Sequence, residues 1–318
     1  MAESTVAADS TFADWTTGRK GGVAITGASG WIGSAIVDHL LQTFPTSGAI
    51  PLRLLGSSAR TLEIAGRRIT VEPLLDAAPL GAGEWLVLHL AVVGADRLGG
   101  DLDSTLAAND AVLAQTLRLA STASVRRLVY ASSGAVYQTG GAPRKQAYSE
   151  MKRRQEATVR AWAGDAGAPL LVPRIFNVGG PYINHIDAYA LGSFIRQALA
   201  TGVIEIEARR PVLRSYVHLD EFARVLFALA LGAEDGLTFD TAGAEVVEMA
   251  DLARAVGTTL DLEVEIRRPP MSESGEDRYV GDGRVYQAAV ARRQGAPIGL
   301  DRIIRDTADY MRGHGAPP

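Results

Sequence analysis

The chain contains no cysteine, so disulfides, thiolate nucleophiles and cysteine-ligated metals are excluded. Its five histidines (His39, His89, His185, His218, His314) lack metal-ligand spacing, and no zinc site is expected. Lysine is scarce: of 32 Lys and Arg residues only Lys20, Lys145 and Lys152 are lysines, so a single arginine is weak evidence of function and a lysine is stronger. There is no excess of positive charge, and a net charge of -4 offers no bulk attraction to nucleic acid or to an anionic membrane. Long apolar runs are missing too, since the longest, Trp85 to Ala95, is too short to cross a bilayer. Residues 1–20 carry Glu3, Asp9 and Asp14 and no basic start ahead of an apolar stretch, so they read as a polar, flexible tail, and a cytoplasmic location is expected.

What is present is a regular alternation. With 318 residues, 47% hydrophobic and 21% charged, the chain can bury a large core. Val23–Thr26 reads as a short apolar strand, Gly27–Gly33 as a glycine-rich turn, and Ile32–Thr43 as a helix stopped by Pro45. Strands follow at 52–55, 69–71, 85–91, 125–130 and 170–172, with helices at 106–122 and from about Tyr148 to Trp162. Strands alternating with long helices predict an α/β fold with a Rossmann-type, doubly wound parallel sheet. After Pro173 the pattern breaks into Gly-, Pro- and Tyr-containing loops. The predicted division is a dinucleotide-binding domain over 21–175 plus about 214–241, and a smaller discontinuous substrate-binding lobe over about 176–213 and 242–312.

In Thr26-Gly27-Ala28-Ser29-Gly30-Trp31-Ile32-Gly33 the glycines lie three apart between strand and helix. Gly27 suits the tight turn, Gly30 a close approach of a pyrophosphate to backbone, and Gly33 close helix–sheet packing. The helix N-terminus then offers free N–H groups to phosphates, with Ser29, Trp31 and Ile32 beside them. An ordinary βα turn in a glycine-rich chain would look similar. No Gly-Lys-Ser/Thr follows, so the NTPase phosphate loop is absent. The second strand runs into Gly56-Ser57-Ser58-Ala59-Arg60, without the acid that accepts from the ribose hydroxyls of NAD. Ser57, Ser58 and Arg60 suit a ribose phosphate better, which favours NADP over NAD, although Arg60 facing solvent is the plainer alternative.

Tyr148 and Lys152 are four residues apart and share a helix face. A phenol titrating near ~10 is a poor proton relay at neutral pH, and a neighbouring ammonium stabilises its phenolate. A surface Tyr–Lys pair is the bland alternative. Upstream, the strand ending Tyr130-Ala131-Ser132-Ser133 brings a hydroxyl to where it can bond the substrate oxygen that Tyr148 protonates; Ser132 reads as a strand terminus only.

These motifs, with His89-Leu90-Ala91, Asn109, Arg174-Ile175-Phe176-Asn177-Val178-Gly179-Gly180-Pro181 and Arg214-Ser215-Tyr216-Val217-His218-Leu219-Asp220, resemble the extended short-chain dehydrogenase/reductases, the group of nucleotide-sugar epimerases, dehydratases and ketoreductases. The resemblance spans about residues 22 to 312. It implies Ser133, Tyr148 and Lys152 as the catalytic triad. It places Asp76 near the adenine, Leu90, Ala91 and Asn109 along the cofactor, and Ile175 and Phe176 beside the nicotinamide. Asn177 and Arg214 would face the diphosphate of a nucleotide sugar, with Arg267 or Arg268 as a second phosphate ligand. The Pro181–Phe194 loop, with Tyr182, His185 and Tyr189, would select the sugar. A homodimer through the 106–122 and 148–162 helices is also implied.

The departures choose among reactions. Family members that eliminate water resemble a pattern with Asp-Glu directly after the catalytic hydroxyl, whereas here Gly134-Ala135 follow Ser133. Elimination then lacks its acid and base. The leading expectation is an NADP-dependent oxidoreductase reducing a keto group on a nucleotide-linked deoxysugar. An NAD-dependent nucleotide-sugar epimerase is the alternative, followed by a non-catalytic nucleotide-binding sensor.

Overall fold

The computed structural model describes residues 22–44, 50–94, 100–232 and 234–314; the tail expected over 1–20, and Pro45, lie outside the described residues. The chain divides into two compact units, Met1–Pro173 with Leu226–Thr238, and Arg174–Val225 with Phe239–Pro318. Residues 174–175, 214–225 and 239–241 thus go with the second unit, whereas the sequence pattern places them with the dinucleotide-binding domain.

The first unit is organised by a nine-stranded sheet. Its strands include β1 (Val23–Thr26), β2 (Leu52–Gly56), β3 (Arg60–Ile64), β4 (Arg67–Pro73), β5 (Glu84–His89), β6 (Ser124–Tyr130), β7 (Ser132–Ser133) and β8 (Leu170–Ile175). The order runs β8-β6-β5-β1-β2-β4-β3, with parallel pairing at every step from β8 to β4. This is the predicted doubly wound arrangement, in which right-handed crossovers return each strand parallel to its predecessor. Helices α1 (Trp31–Thr43), α2 (Leu102–Ala120) and α3 (Pro143–Ala166) make those crossovers. β1 is buried at all four residues, as a central parallel strand must be. Leu113, Leu117, Val159 and Ala163 from α2 and α3 pack with Trp85, Val87, Leu128, Tyr130 and Val172 in one apolar cluster.

One element is absent from the sequence pattern. Arg60 does not lie in a loop but opens β3, which turns back antiparallel onto β4. Ile64 pairs with Arg67, leaving a two-residue turn, Ala65-Gly66, with φ of 51° and 70°. Two left-handed residues define the tight hairpin turn whose twist suits its strands, and alanine in the first position hides it from a search for Asn-Gly or Asp-Gly.

In the second unit, β9 (Asn177–Gly179) pairs parallel with β12 (Tyr216–His218), and β11 (Val212–Arg214) pairs antiparallel with β14 (Val247–Glu248) and parallel with β16 (Asp277–Tyr279). A second parallel pair joins β10 (Val203–Glu205) to β15 (Glu265–Arg267). Around them stand α4 (Ala190–Thr201), α6 (Met249–Leu260), α7 (Arg284–Gln294) and α8 (Leu300–Gly313); α5 (Leu219–Leu231) and β13 (Leu237–Asp240) complete the chain. Among the described residues no helix is long and apolar enough to cross a membrane, and no cluster of His, Asp and Glu could hold a metal.

Candidate active site

The Gly27–Gly33 turn is built by close contact. Gly27 has φ +75°, and a Cβ there would lie 2.7 Å from the Ala91 backbone; a Cβ on Gly33 would lie 2.2 Å from the Gly27 carbonyl oxygen. Only glycine meets both demands. At Gly30 a Cβ would lie 3.3 Å from the Gly27 carbonyl oxygen, a tight contact but a milder one than at Gly27 or Gly33. Gly30 caps α1 with no side-chain hydrogen bond, and no acidic residue lies in the first turn. α1 therefore turns the positive end of its dipole, with no acid beside it, to this turn, which suits a pyrophosphate. Ser29, Trp31 and Ile32 occupy this turn. On its β5 side the Leu90 N–H donates to the Thr26 carbonyl at 3.1 Å.

Past β2, the Arg60 guanidinium donates to both the Ser57 and Ser58 hydroxyls at 3.1 Å. The three residues form one donor-rich cluster, and no carboxylate among the described residues belongs to it. Asp76 is exposed, in the segment after β4. Asn109 is buried on α2, and its amide is engaged with backbone: Oδ1 accepts from Val93 N at 2.9 Å, while Nδ2 donates to Val93 O and Thr105 O at 3.0 and 2.8 Å. Asn109 thus fastens the loop that carries Leu90 and Ala91.

The helix holding Tyr148 starts at Pro143, five residues earlier than the sequence predicts, because proline at the first helical position needs no N–H partner. α3 lies against β7 and the short turn Gly134–Tyr137 that follows. Arg153 fixes that turn, donating to Val136 O and Gln138 O at 2.9 and 3.0 Å. Ser133 caps it, its hydroxyl accepting from Ala135 N at 3.2 Å. Tyr148 is half-buried and Lys152 is buried one turn further on the same helix. The Lys152 ammonium donates to Ala131 O at 2.9 Å and sits 5.0 Å from the centre of the Tyr130 ring. Burial lowers its pKa to about 8, with Glu156 opposing the shift.

Two neighbours have no role assigned from sequence. His89, beneath the site, is buried and neutral: Nδ1 meets the Thr26 and Thr116 hydroxyls at 3.1 and 2.9 Å, and burial, then the Lys152 charge, lowers its pKa to about 3. Glu156 is buried and accepts from the Ser132 hydroxyl at 2.6 Å. Ser132 therefore turns inward to a carboxylate, in keeping with its reading as other than the catalytic hydroxyl. A signal for Glu156 does exist in the sequence, since it lies four residues beyond Lys152 as Tyr148 lies four before.

In the second unit, Ile175 is buried, and the Phe176 N–H donates to the Thr241 hydroxyl at 3.0 Å, with its ring 4.6 Å from that of Tyr279. Asn177 Nδ2 donates to Ser215 O and Tyr279 O at 3.2 and 3.3 Å. Tyr182 has φ +71°, and its ring meets Tyr310 at 5.1 Å. The expected Pro181–Phe194 loop ends early, because α4 begins at Ala190. Two arginines expected at phosphate are tied to carboxylates and backbone carbonyls in this structure. Arg214 is bidentate to Asp277 at 3.2 Å and also donates to the Leu213 and Asp277 carbonyls at 2.9 Å. Arg268 donates to both Glu248 oxygens and to the Ala208 and Arg210 carbonyls. Its guanidinium is an internal tie between β14 and the 208–210 segment. Arg267 is exposed and pairs with Glu265 and Glu205.

A profile of the NAD dependent epimerase/dehydratase family matches residues 23–240. A dTDP-glucose 4,6-dehydratase of Escherichia coli is 26% identical over 42% of this chain and 37% of its own, so the chain spans well under half the length of that relative. The UDP-N-acetylglucosamine 4-epimerase of Methanobrevibacter ruminantium M1 has a similar fold, with TM-score 0.73 and 16% identity over 92% of this chain and 98% of its own. So does a dTDP-glucose 4,6-dehydratase of Streptomyces venezuelae solved with NAD, at TM-score 0.69 and 20% identity over 92% and 98%. The profile match covers more than half of the sequence and includes the glycine turn, Ser133, Tyr148 and Lys152, and the chain belongs to the NAD dependent epimerase/dehydratase family.

Proposed function

We propose that the protein transfers a hydride between a nicotinamide cofactor and a carbon of a nucleotide-linked sugar, with Tyr148 moving the accompanying proton. The observation that carries this reading is the helix α3, which sets Tyr148 and buried Lys152 one turn apart, against the strand that ends in Ser133 and in the same unit as the glycine turn. When bound, the nicotinamide supplies or takes the hydride. Ser133 holds the substrate oxygen, Tyr148 gives its proton to that oxygen or removes it, and Lys152 stabilises the phenolate by its charge. Gly27, Ser29, Gly30, Trp31, Ile32 and Gly33 would hold the pyrophosphate, with Leu90, Ala91 and Asn109 positioning the cofactor from β5 and α2. Asp76 would lie toward the adenine, and Ile175 and Phe176 beside the nicotinamide. Asn177, Tyr182 and Arg214 would meet the nucleotide sugar, and the second unit would be the substrate lobe. Replacing Tyr148 by Phe is expected to remove most turnover while cofactor still binds; undiminished turnover overturns the mechanism.

For direction we favour NADPH-dependent reduction of a keto group, on the carboxylate-free cluster of Ser57, Ser58 and Arg60. A second reading, an NAD-dependent epimerase, is favoured by the family match and by the fold shared with UDP-sugar 4-epimerases. Stoichiometric loss of NADPH absorbance with a nucleoside-diphosphate ketosugar supports reduction, whereas interconversion of sugars with no net loss supports epimerisation. Cofactor binding without turnover on a panel of nucleotide sugars would favour a sensor. A homodimer through α2 and α3, in the cytoplasm, belongs to the same proposal, and a monomer in light scattering would overturn the dimer.

A further inference from the structure

Lys152 has an acidic neighbour that the reaction proposed above does not use. Glu156 lies on α3 one turn beyond Lys152, is buried, and is held from two sides: the Ser132 hydroxyl donates to Oε1 at 2.6 Å, and Arg160 stands 3.7 Å from Oε2. A donated hydrogen bond and a nearby guanidinium both favour the ionised form of a carboxyl group. Arg160 is itself anchored, donating to the Thr238 hydroxyl at 2.6 Å.

The ammonium of Lys152 needs such a partner. It is almost wholly enclosed, and the oxygen it donates to, that of the Ala131 carbonyl, is neutral. The other titratable or charged groups around it do not supply a counter-charge. His89 on β5 is neutral, and burial holds the Tyr130 phenol on β6 well above its ordinary range. Tyr148 enters the reduction proposed above as a neutral phenol. Asp110 on α2 is already bonded to Arg154 and Gln155 at 2.7 and 3.1 Å. An isolated buried ammonium tends to lose its proton, and a neutral amine no longer stabilises a phenolate.

We propose that Glu156 is a positioning residue: clamped by Ser132 one helical turn beyond Lys152, it is the counter-charge that keeps the interior lysine an ammonium held at the Ala131 carbonyl, one turn from Tyr148. The proposal rests on the role given to Lys152 above, and under it Ser132 serves to orient the carboxylate. The tandem serines at the strand end then divide their work, Ser133 toward substrate and Ser132 toward Glu156.

Lysine scarcity makes the test direct. With only Lys20, Lys145 and Lys152 in the sequence, protein labelled with ¹³C-lysine gives three side-chain signals, and the one lost in Lys152→Met is assigned. In the unaltered protein the Lys152 signal is expected to titrate near 8. In Glu156→Gln, which keeps the shape and an acceptor for Ser132, its midpoint is expected to fall by about one pH unit, a tenfold change in the ammonium-to-amine ratio. Ser132→Ala is expected to move it the same way by less, Glu156→Asp to restore most of it, and Lys20 and Lys145 to stay fixed. A Lys152 midpoint that is unchanged or raised in Glu156→Gln overturns the proposal; should that variant not fold, an unmoved midpoint in Ser132→Ala does so. No substrate enters the measurement, so its failure leaves the Tyr148 mechanism standing, and loss of that mechanism is read separately from Tyr148→Phe.

Discussion

At the scale of single residues, the cluster past β2 is where the choice of cofactor is tested. Arg60 is held by two serine hydroxyls in a cluster without an acid, a setting that under the proposed reading would suit a ribose phosphate. Charge-assisted hydrogen bonds contribute about 1.5–3 kcal/mol each. Arg60→Ala is therefore expected to weaken NADPH binding by about tenfold or more and leave NADH binding nearly unchanged, as read by fluorescence titration. Equal losses for both cofactors would return Arg60 to a surface role. Much of this layer is legible in the sequence because spacing on a helix or around a turn is a local property: Gly27, Gly30 and Gly33, and Tyr148 with Lys152, are each fixed by a few residues of chain. The partners of Arg214 and Arg268 are not legible there. Asp277 lies 63 positions from Arg214, and only strand pairing brings them together. A guanidinium identified from a motif says nothing about which carboxylate has already claimed it.

The elements show the same contrast. The parallel sheet is readable because buried central strands are short and apolar and the helices between them are long. Strand β3 and its turn back onto β4 are not, because their polar, alternating residues (Arg60, Thr61, Glu63) look like exposed loop until the strands pair. The strand–turn–helix unit at the start of the sheet makes a sharp prediction. Gly33→Ala forces a methyl group into the Gly27 carbonyl and is expected to cost about 1–3 kcal/mol of stability as well as cofactor affinity. Gly30→Ala meets the Gly27 carbonyl oxygen only at 3.3 Å, so its melting temperature should fall less than that of Gly33→Ala while cofactor binding falls. If both variants lose stability equally, the division of labour among the three glycines is wrong.

For the whole molecule, buried titratable groups set the response to pH. His89 has a folded pKa of about 3 against 6.5 in the unfolded chain, so between those values the unfolded state binds the extra proton and stability drops as pH falls. His218, also lowered by burial, acts in the same direction. The melting temperature is therefore expected to decline from about pH 6.5 downward, and His89→Asn, which removes one titration, should flatten the decline; an identical acid limb in that variant would rule His89 out as a cause. Lys152 adds an alkaline counterpart: its folded pKa lies below the unfolded value, so its burial penalty is relieved as pH rises from about 8 toward 10.5. One connection gives the fold a mechanical property. The Asn109 amide bonds both backbone groups of Val93, as a neighbouring strand would, and Ala91 lies in contact distance of Gly27. Helix α2, the loop after β5 and the glycine turn are thereby linked in one chain of contacts, so a displacement of the helix axis at Asn109 would be felt at the floor of the glycine turn.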